Sequence, residues 1–571
     1  MGAVTVVVGL LLVAAIVWGI RQMLGHDAPV QQGRAHGVRR FFQYLLLYGL
    51  LWVAATGVAG LLGRLFDLGR TITSDPADLA LSTAFTVVGV PLYAVVAVWT
   101  RRTFRADPRE SRSRGWTLYV TAASLTSLGV GLSGLHSVLS WATGLTAYSG
   151  RQVGAVIVWG TAWFAHWLVD RRLSARDAFS LHRLFGSVIG LVLVAVGAVS
   201  LLGDALEQLL GLARETVFAG GGRPLLPGAV TLVVGLPVWL VYWVVPARRY
   251  HRGPLWLAYV LLAGVAGGLV TAITSASLVL YDVLVWLVGE PSSTVAAEHF
   301  GAVPDSLAAV IVGALVWGYH RTVLQEGGGE ARTEVSRIYE YLIAGIGLIA
   351  AAVGLMMMIV ALFEGLAGST GLLVGDTSAL NTVLAAATLL VVGGPVWWLF
   401  WRRIQHAVRS DPEEEHGSPT RRIYVFVLFG VAGVAAVVAL LVGVFVVLQD
   451  LFEGNVTAET LRGVRYPVGI IVAAGLISAY HWTVYRADRG YAQAGQRGPR
   501  FVLLVGPADA DIARSLERRT GGKVQAWART DGVGAPWSVD ELASTLAART
   551  EDEVVVVADE QGVRILPVDR G

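Results

Sequence analysis

Val87-Val88-Gly89-Val90-Pro91-Leu92-Tyr93, Val233-Val234-Gly235-Leu236-Pro237-Val238-Trp239 and Val391-Val392-Gly393-Gly394-Pro395-Val396-Trp397 are three copies of one phrase, with prolines 146 and 158 residues apart. Each copy lies inside a long apolar run. A second set of runs lacks the proline and instead places a histidine near one end: His166, His320 and His481, spaced 154 and 161 residues apart. Repetition on this scale means a tandem array. The chain reads as three units of four helices, at 34–180, 181–330 and 331–490, each unit made of two related hairpins. Hairpins add two spans at a time, so all copies share one orientation. Their pseudo-symmetry axis is expected along the membrane normal, unlike the inverted repeats of many transporters.

Composition fixes the class. Of 571 residues 55% are hydrophobic and only 15% are charged, where soluble domains carry about 25% charged residues. The mean hydropathy is +0.61. A soluble globular domain, a disordered chain and a secreted disulfide-rich protein are excluded. There is no cysteine, which removes disulfides, thiolate metal sites and thiol catalysis. Runs of about 20 apolar residues predict about thirteen transmembrane helices. The first, Val4–Ile20, has no basic stretch before it and no small-residue cleavage site after it, so it reads as a retained span rather than a signal peptide.

Arginine placement orients the array. Alternate loops at 21–40, 101–114, 171–183, 248–252, 321–337, 402–422 and 486–500 hold 29 arginines, and the other loops hold seven. By the positive-inside rule the N-terminus is outside and the C-terminus cytoplasmic in the plasma (inner) membrane. The net charge of +3 is thus a loop stripe and not a nucleic-acid footprint.

Hairpins that start with Arg39-Arg40-Phe41-Phe42 or Arg421-Arg422-Ile423-Tyr424 share further marks. They turn at Leu65-Phe66-Asp67, Leu362-Phe363-Glu364 or Leu451-Phe452-Glu453, and carry Gly-x-Pro-x-Trp in the return helix. This pattern resembles the bacterial polytopic membrane-repeat family known only as a domain of unknown function, DUF5671. The resemblance spans roughly 34–490 as six hairpins in three units. It implies a membrane fold and carries over no activity and no functional residue.

Three sets of residues invite a site. Pro91, Pro237 and Pro395 should kink three helices at one depth; they read first as static kinks and second as a hinge lined by freed carbonyls. His166, His320 and His481 at the cytoplasmic ends raise a haem or metal reading. Trp243 and Trp401 occupy the comparable position six residues after a proline, however, so all five read as amphipathic belt residues. Ser133, His136, Ser137 and Ser140, together with Thr271, Thr274 and Asp282, could line an outward-facing polar cavity; hydroxyls bonded back to their own helix are the plainer account. Asp282 lies 27 residues beyond Leu255, about 40 Å along a helix, which puts it at the outer interface. The sequence assigns no catalytic residue, cofactor or metal set. The absence of a phosphate loop, a triad or a dinucleotide fingerprint in the membrane part argues against an enzyme.

From Arg500 the composition turns soluble. Strands at Phe501–Val505 and Lys523–Ala528, helices at Ala508–Arg519 and Val539–Arg549, and a hairpin of Val554–Ala558 with Val563–Val568 predict a small cytoplasmic α/β domain over 500–571. The turn Gly506-Pro507-Ala508-Asp509 precedes a helix N-terminus, where Asp509 reads as a cap rather than an anion site. The expected function is a non-catalytic scaffold, sensor or complex subunit docking a protein, or a second copy, through this domain. The alternative is a transporter or channel for a small solute, with its path between the repeats.

Overall fold

The computed structural model describes residues 32–67, 76–173, 179–212, 225–325, 333–367, 379–495, 499–507, 511–531, 537–549, 551–559 and 562–568. The expected leading span, Val4–Ile20, lies outside the described residues. Among these, twelve helices are long and apolar enough to cross a membrane. Repeat 1 contains α1 (Arg39–Asp67), α2 (Pro76–Ala106), α3 (Arg114–Ala142) and α4 (Gly150–Arg172). Repeat 2 contains α5 (Leu181–Leu209), α6 (Leu225–Val244), α7 (Pro254–Val288) and α8 (Ala296–Gln325). Repeat 3 contains α9 (Glu334–Leu366), α10 (Leu380–Ser410), α11 (Pro419–Phe452) and α12 (Ala458–Asp488). The chain divides into two compact units, Met1–Ala331 and Arg332–Gly571.

Local chemistry sets several boundaries. The Ser113 and Ser180 hydroxyls accept backbone N–H bonds at the starts of α3 and α5, satisfying donors that have no partner within the helix. Pro254 and Pro419 occupy the first turns of α7 and α11, where a missing N–H is harmless. Wide π turns occur in α6 at Leu240–Val244 and in α7 at Tyr259–Ala266. The first follows directly after Pro237, whereas α2 and α10 stay helical through Pro91 and Pro395.

Within every repeat the first span packs on the second and fourth, and the third packs on the fourth. The first contact explains the glycine of the repeated phrase. A Cβ built on Gly89, Gly235 or Gly393 would stand 2.9 Å from a backbone atom of Ala54, Leu193 or Ala351 respectively, so only glycine lets the two helices approach this closely. In the unit Met1–Ala331, α3 also joins repeat 1 to repeat 2. Its Leu125 and Leu128 share a core with Phe185, Ile189 and Leu193 of α5 and with Val234 and Val238 of α6.

The C-terminal domain is a four-stranded sheet ordered β2-β1-β3-β4. Its strands are β1 (Phe501–Gly506), β2 (Lys523–Ala528), β3 (Glu553–Asp559) and β4 (Gly562–Pro567). The first three are parallel and β4 returns antiparallel to β3. Helices α13 (Ile512–Thr520) and α14 (Val539–Ala547) supply Ile512, Leu516, Leu542 and Leu546 to a core with Val502, Leu504, Val554 and Val556. Those strand residues alternate with half-buried ones, as a sheet with helices on one face requires. The turn residue Asp509 lies outside the described residues.

Candidate functional site

The side chains with the most built-in geometry gather at the arginine-rich ends of the spans. The three histidines are each enclosed by their own repeat. His166, His320 and His481 are all buried, and each Nδ1 donates to the carbonyl four residues earlier, Ala162, Val316 or Ile477, at 2.7, 2.8 and 2.9 Å. A carbonyl can only accept, so the proton sits on Nδ1 and Nε2 presents a lone pair. In repeat 1 that lone pair faces the Tyr119 hydroxyl at 3.0 Å. In repeats 2 and 3 it is buried with no hydrogen-bond partner. There the imidazole is boxed by rings: Trp243 and Tyr259 around His320, and Trp401, Tyr424 and Tyr480 around His481.

This corrects the belt reading of the tryptophans. Trp243 and Trp401 are 0% and 1% exposed, because the second span turns them inward onto the third and fourth. The prolines point the other way. Pro91, Pro237 and Pro395 are exposed while the glycine two residues before each is buried. Pro237 borders a cavity of about 270 Å³ between α3, α4 and α6 that also meets Ser127, Trp163 and Tyr242. Among the described residues no three His, Asp or Glu side chains come together as a metal set.

Beneath the boxes lies a latch that repeats three times. In repeat 1, Asp107 caps a short turn, Pro108–Arg112. This turn aims Glu110 back at the start of α1, where Arg40 Nε and Arg39 Nη2 donate to it at 2.8 and 2.6 Å. In repeat 3, Asp411 caps the short helix Pro412–Gly417, and Arg337 Nε at the start of α9 donates to Glu415 at 2.8 Å. Repeat 2 keeps the arginine and changes its partners: Arg183 faces the Asp170 carboxylate of α4 at 3.9 Å and lies over the Tyr250 ring, 5.4 Å from its centre. Burial pushes the Tyr250 phenol up to about 12, so the ring is neutral and the contact is cation–π. In repeat 3 Arg421 adds a bidentate pair with Asp488 at 2.8 and 2.7 Å and donates to the Tyr341 hydroxyl.

The residues expected around an outer cavity separate into two groups. His136 Nε2 lies 3.2 Å from the Thr231 hydroxyl of α6, and its Nδ1 3.5 Å from Ser140 Oγ, so it bridges repeats 1 and 2. Ser133 is exposed and its carbonyl accepts from the Ser137 hydroxyl. Thr271 and Thr274 are exposed on α7, the former bonded back to Gly267. Asp282 is half-buried, with its carbonyl 2.9 Å from His299 Nε2.

Sequence reasoning missed the latch and the enclosure of the histidines. The signal for the latch was an Asp-Pro start, a glutamate six residues before Trp116 or Arg421, and an arginine opening the first span. The family profile described as a domain of unknown function (DUF5671) matches three stretches, 40–163, 180–303 and 337–476. The first and third begin at the latch arginines Arg40 and Arg337. No curated protein and no solved structure matches the chain. Three matches cover more than half of the chain, one for each tandem unit, and the protein belongs to the DUF5671 family.

Proposed function

We propose that the protein is a non-catalytic integral scaffold, or a subunit of a larger assembly, in a bacterial plasma membrane. Its arginine-rich ends face the cytoplasm, where the C-terminal domain docks a protein. The carrying observation is the second face of the β2-β1-β3 sheet. Parallel sheets are normally covered on both faces, yet α13 and α14 both contribute to one core. The other face presents half-buried Leu503, Val505, Val555 and Val557, flanked by exposed Trp527 and Leu566. In register, Val505 stands between Trp527 and Val557, and Val555 beside Leu566, so the patch is continuous. An apolar patch of this kind marks an interaction surface.

Purification of the tagged full-length protein from native membranes tests this. A stoichiometric protein partner should copurify with the wild type and be lost from Val505→Arg and Leu566→Arg. A clean monomer from both wild type and variants would defeat the reading. A second reading, a transporter of a small lipophilic solute, is favoured by the cavity at Pro237, where Ser127 Oγ is buried without a partner. Solute uptake by proteoliposomes that Ser127→Leu abolishes would support it.

A further inference from the structure

A cavity of about 470 Å³ opens at the arginine-rich end of α10, bounded by Trp398, Trp401, Arg402, Arg403, Gln405 and Arg409 together with Tyr480 of α12. We propose that it holds the phosphodiester of an anionic phospholipid. The inference rests on the membrane reading of the spans and is independent of what the C-terminal domain docks.

Helical spacing makes the site. Residues 398, 402, 405 and 409 recur at intervals of three and four and share one face of α10. Their charges are free: among the described residues Arg402, Arg403 and Arg409 form no ion pair, whereas Arg39, Arg40, Arg337 and Arg421 at comparable helix ends are all held by carboxylates. Arg402 lies over the Trp398 ring at 5.8 Å and Arg403 over Phe400 at 5.0 Å. Stacking occupies the guanidinium faces and leaves the N–H edges for an acceptor, the geometry that suits phosphate oxygens. No carboxylate borders the cavity.

A second observation points to the same acceptor. Gln405 Nε2 is buried without a hydrogen-bond partner and its side chain lines this cavity. A buried donor left unpaired is costly, and an anionic oxygen would satisfy it. The other wall decides the source of the phosphate. Trp398 and Leu399 are 52% and 55% exposed and continue the apolar surface of α10, so an occupant with acyl tails can lie along them. A soluble anion would gain nothing from that wall. Basic pockets beside membrane helices on the cytoplasmic side are the usual site for acidic headgroups.

The purified full-length protein, titrated in detergent with phosphatidylglycerol or phosphatidylcholine and read by native mass spectrometry, tests the proposal. Phosphatidylglycerol should bind with preference over phosphatidylcholine. Arg402→Gln/Arg403→Gln/Arg409→Gln should weaken it about a hundredfold, at roughly fivefold for each arginine. Arg101→Gln/Arg102→Gln/Arg105→Gln, at the same end of α2, should leave it unchanged. Gln405→Leu removes one neutral donor without removing charge and should cost several-fold affinity, which keeps the test decisive if the triple variant misfolds. Equal retention of phosphatidylglycerol by wild type and Gln405→Leu together with the triple variant would overturn the proposal. Displacement of the lipid by an equal concentration of inorganic phosphate would overturn it too, by assigning the cavity to a soluble anion.

Discussion

Helices α3 and α11 are the third spans of repeats 1 and 3, and both carry a tyrosine packed on the histidine of the next helix. Their surroundings differ sharply. In the apolar window of α3, 61% of residues are buried, against 6% in α11. The composition follows in the direction opposite to a soluble protein. Enclosed α3 holds buried Thr121, Ser124, Thr126, Ser127 and Ser140, while α11 exposes Val431, Val434, Val437, Val438 and Val444. Repeat 2 covers part of α3 through the core shared with α5 and α6, which helps to bury its hydroxyls inside the bundle. The Thr126 hydroxyl meets that of Tyr48 at 2.8 Å. Polar residues can persist in a span only where neighbouring helices shield them. The hydroxyl content of a repeat therefore reports which face its neighbour covers.

The latches reverse the comparison and give the largest expected effect. In repeat 3 both partners are hidden, with side-chain exposures of 4% for Arg337 and 2% for Glu415. In repeat 1 Arg39 and Arg40 stay about one-third exposed around buried Glu110. Removing Glu415 deletes the one carboxylate hidden with Arg337 and leaves only the half-exposed Glu334 and Glu414 beside it, at a cost of about 2–3 kcal/mol. Glu415→Ala should therefore lower the melting temperature in detergent far more than Glu110→Ala, for which rehydration of the arginines limits the loss to about 1 kcal/mol. Equal losses would show that exposure does not set the strength of the latch.

Glycine gives a direct reading of enclosure. A Cβ at Gly134 of α3 would meet the Gln152 carbonyl oxygen of α4 at 3.0 Å and a Val156 methyl at 3.1 Å, while one at Gly433 of α11 meets nothing within 4 Å. Gly134→Leu should cost about 2 kcal/mol by overpacking. Gly433→Leu should be neutral or stabilise by up to about 1 kcal/mol through helix propensity. Thermal unfolding followed by intrinsic tryptophan fluorescence separates the two. Matching destabilisation at Gly433 would mean that α11 is covered by a partner under the conditions of measurement.

Much of this architecture was legible because it rests on local signals. The Gly-x-Pro phrase announced three units, and its glycine proved to be the point where the first two spans of each repeat touch. Apolar length gave the spans, and short continuous apolar runs between polar turns gave β1 and β3. The latch was hidden for a physical reason. Glu110 and Arg40 are 70 residues apart, and Glu415 and Arg337 78 apart, so each glutamate looks like one more charge in a polar loop. Repeat 2 hides the correspondence further, because Arg183 finds its carboxylate in Asp170 of the preceding span and adds the Tyr250 ring in place of a loop glutamate. The histidine boxes were half visible. Depth along a helix can be counted from sequence, but whether a tryptophan at that depth faces lipid or a neighbouring helix depends on rotation. Trp398 and Trp401 are three residues apart on α10, yet the first is exposed and the second buried.

The shared tyrosine provides the smallest and most specific test of the opening comparison. Tyr119 hydrogen-bonds His166 Nε2, whereas the Tyr424 hydroxyl and His481 Nε2 are both buried without partners. Tyr119→Phe leaves a buried acceptor unsatisfied and should cost about 1–2 kcal/mol. Tyr424→Phe deletes a hydroxyl that satisfies nothing, so its ring packing on Tyr341, Trp401 and His481 survives and stability should change by less than about 0.5 kcal/mol. The Tyr119→Phe loss should also shrink when His166 is replaced by Phe, since a double-mutant cycle removes both ends of one bond. A large cost for Tyr424→Phe would instead reveal a bridging group between its hydroxyl and the lone pair of His481, and repeat 3 would then carry at its histidine a bound molecule that repeat 1 replaces with its own tyrosine.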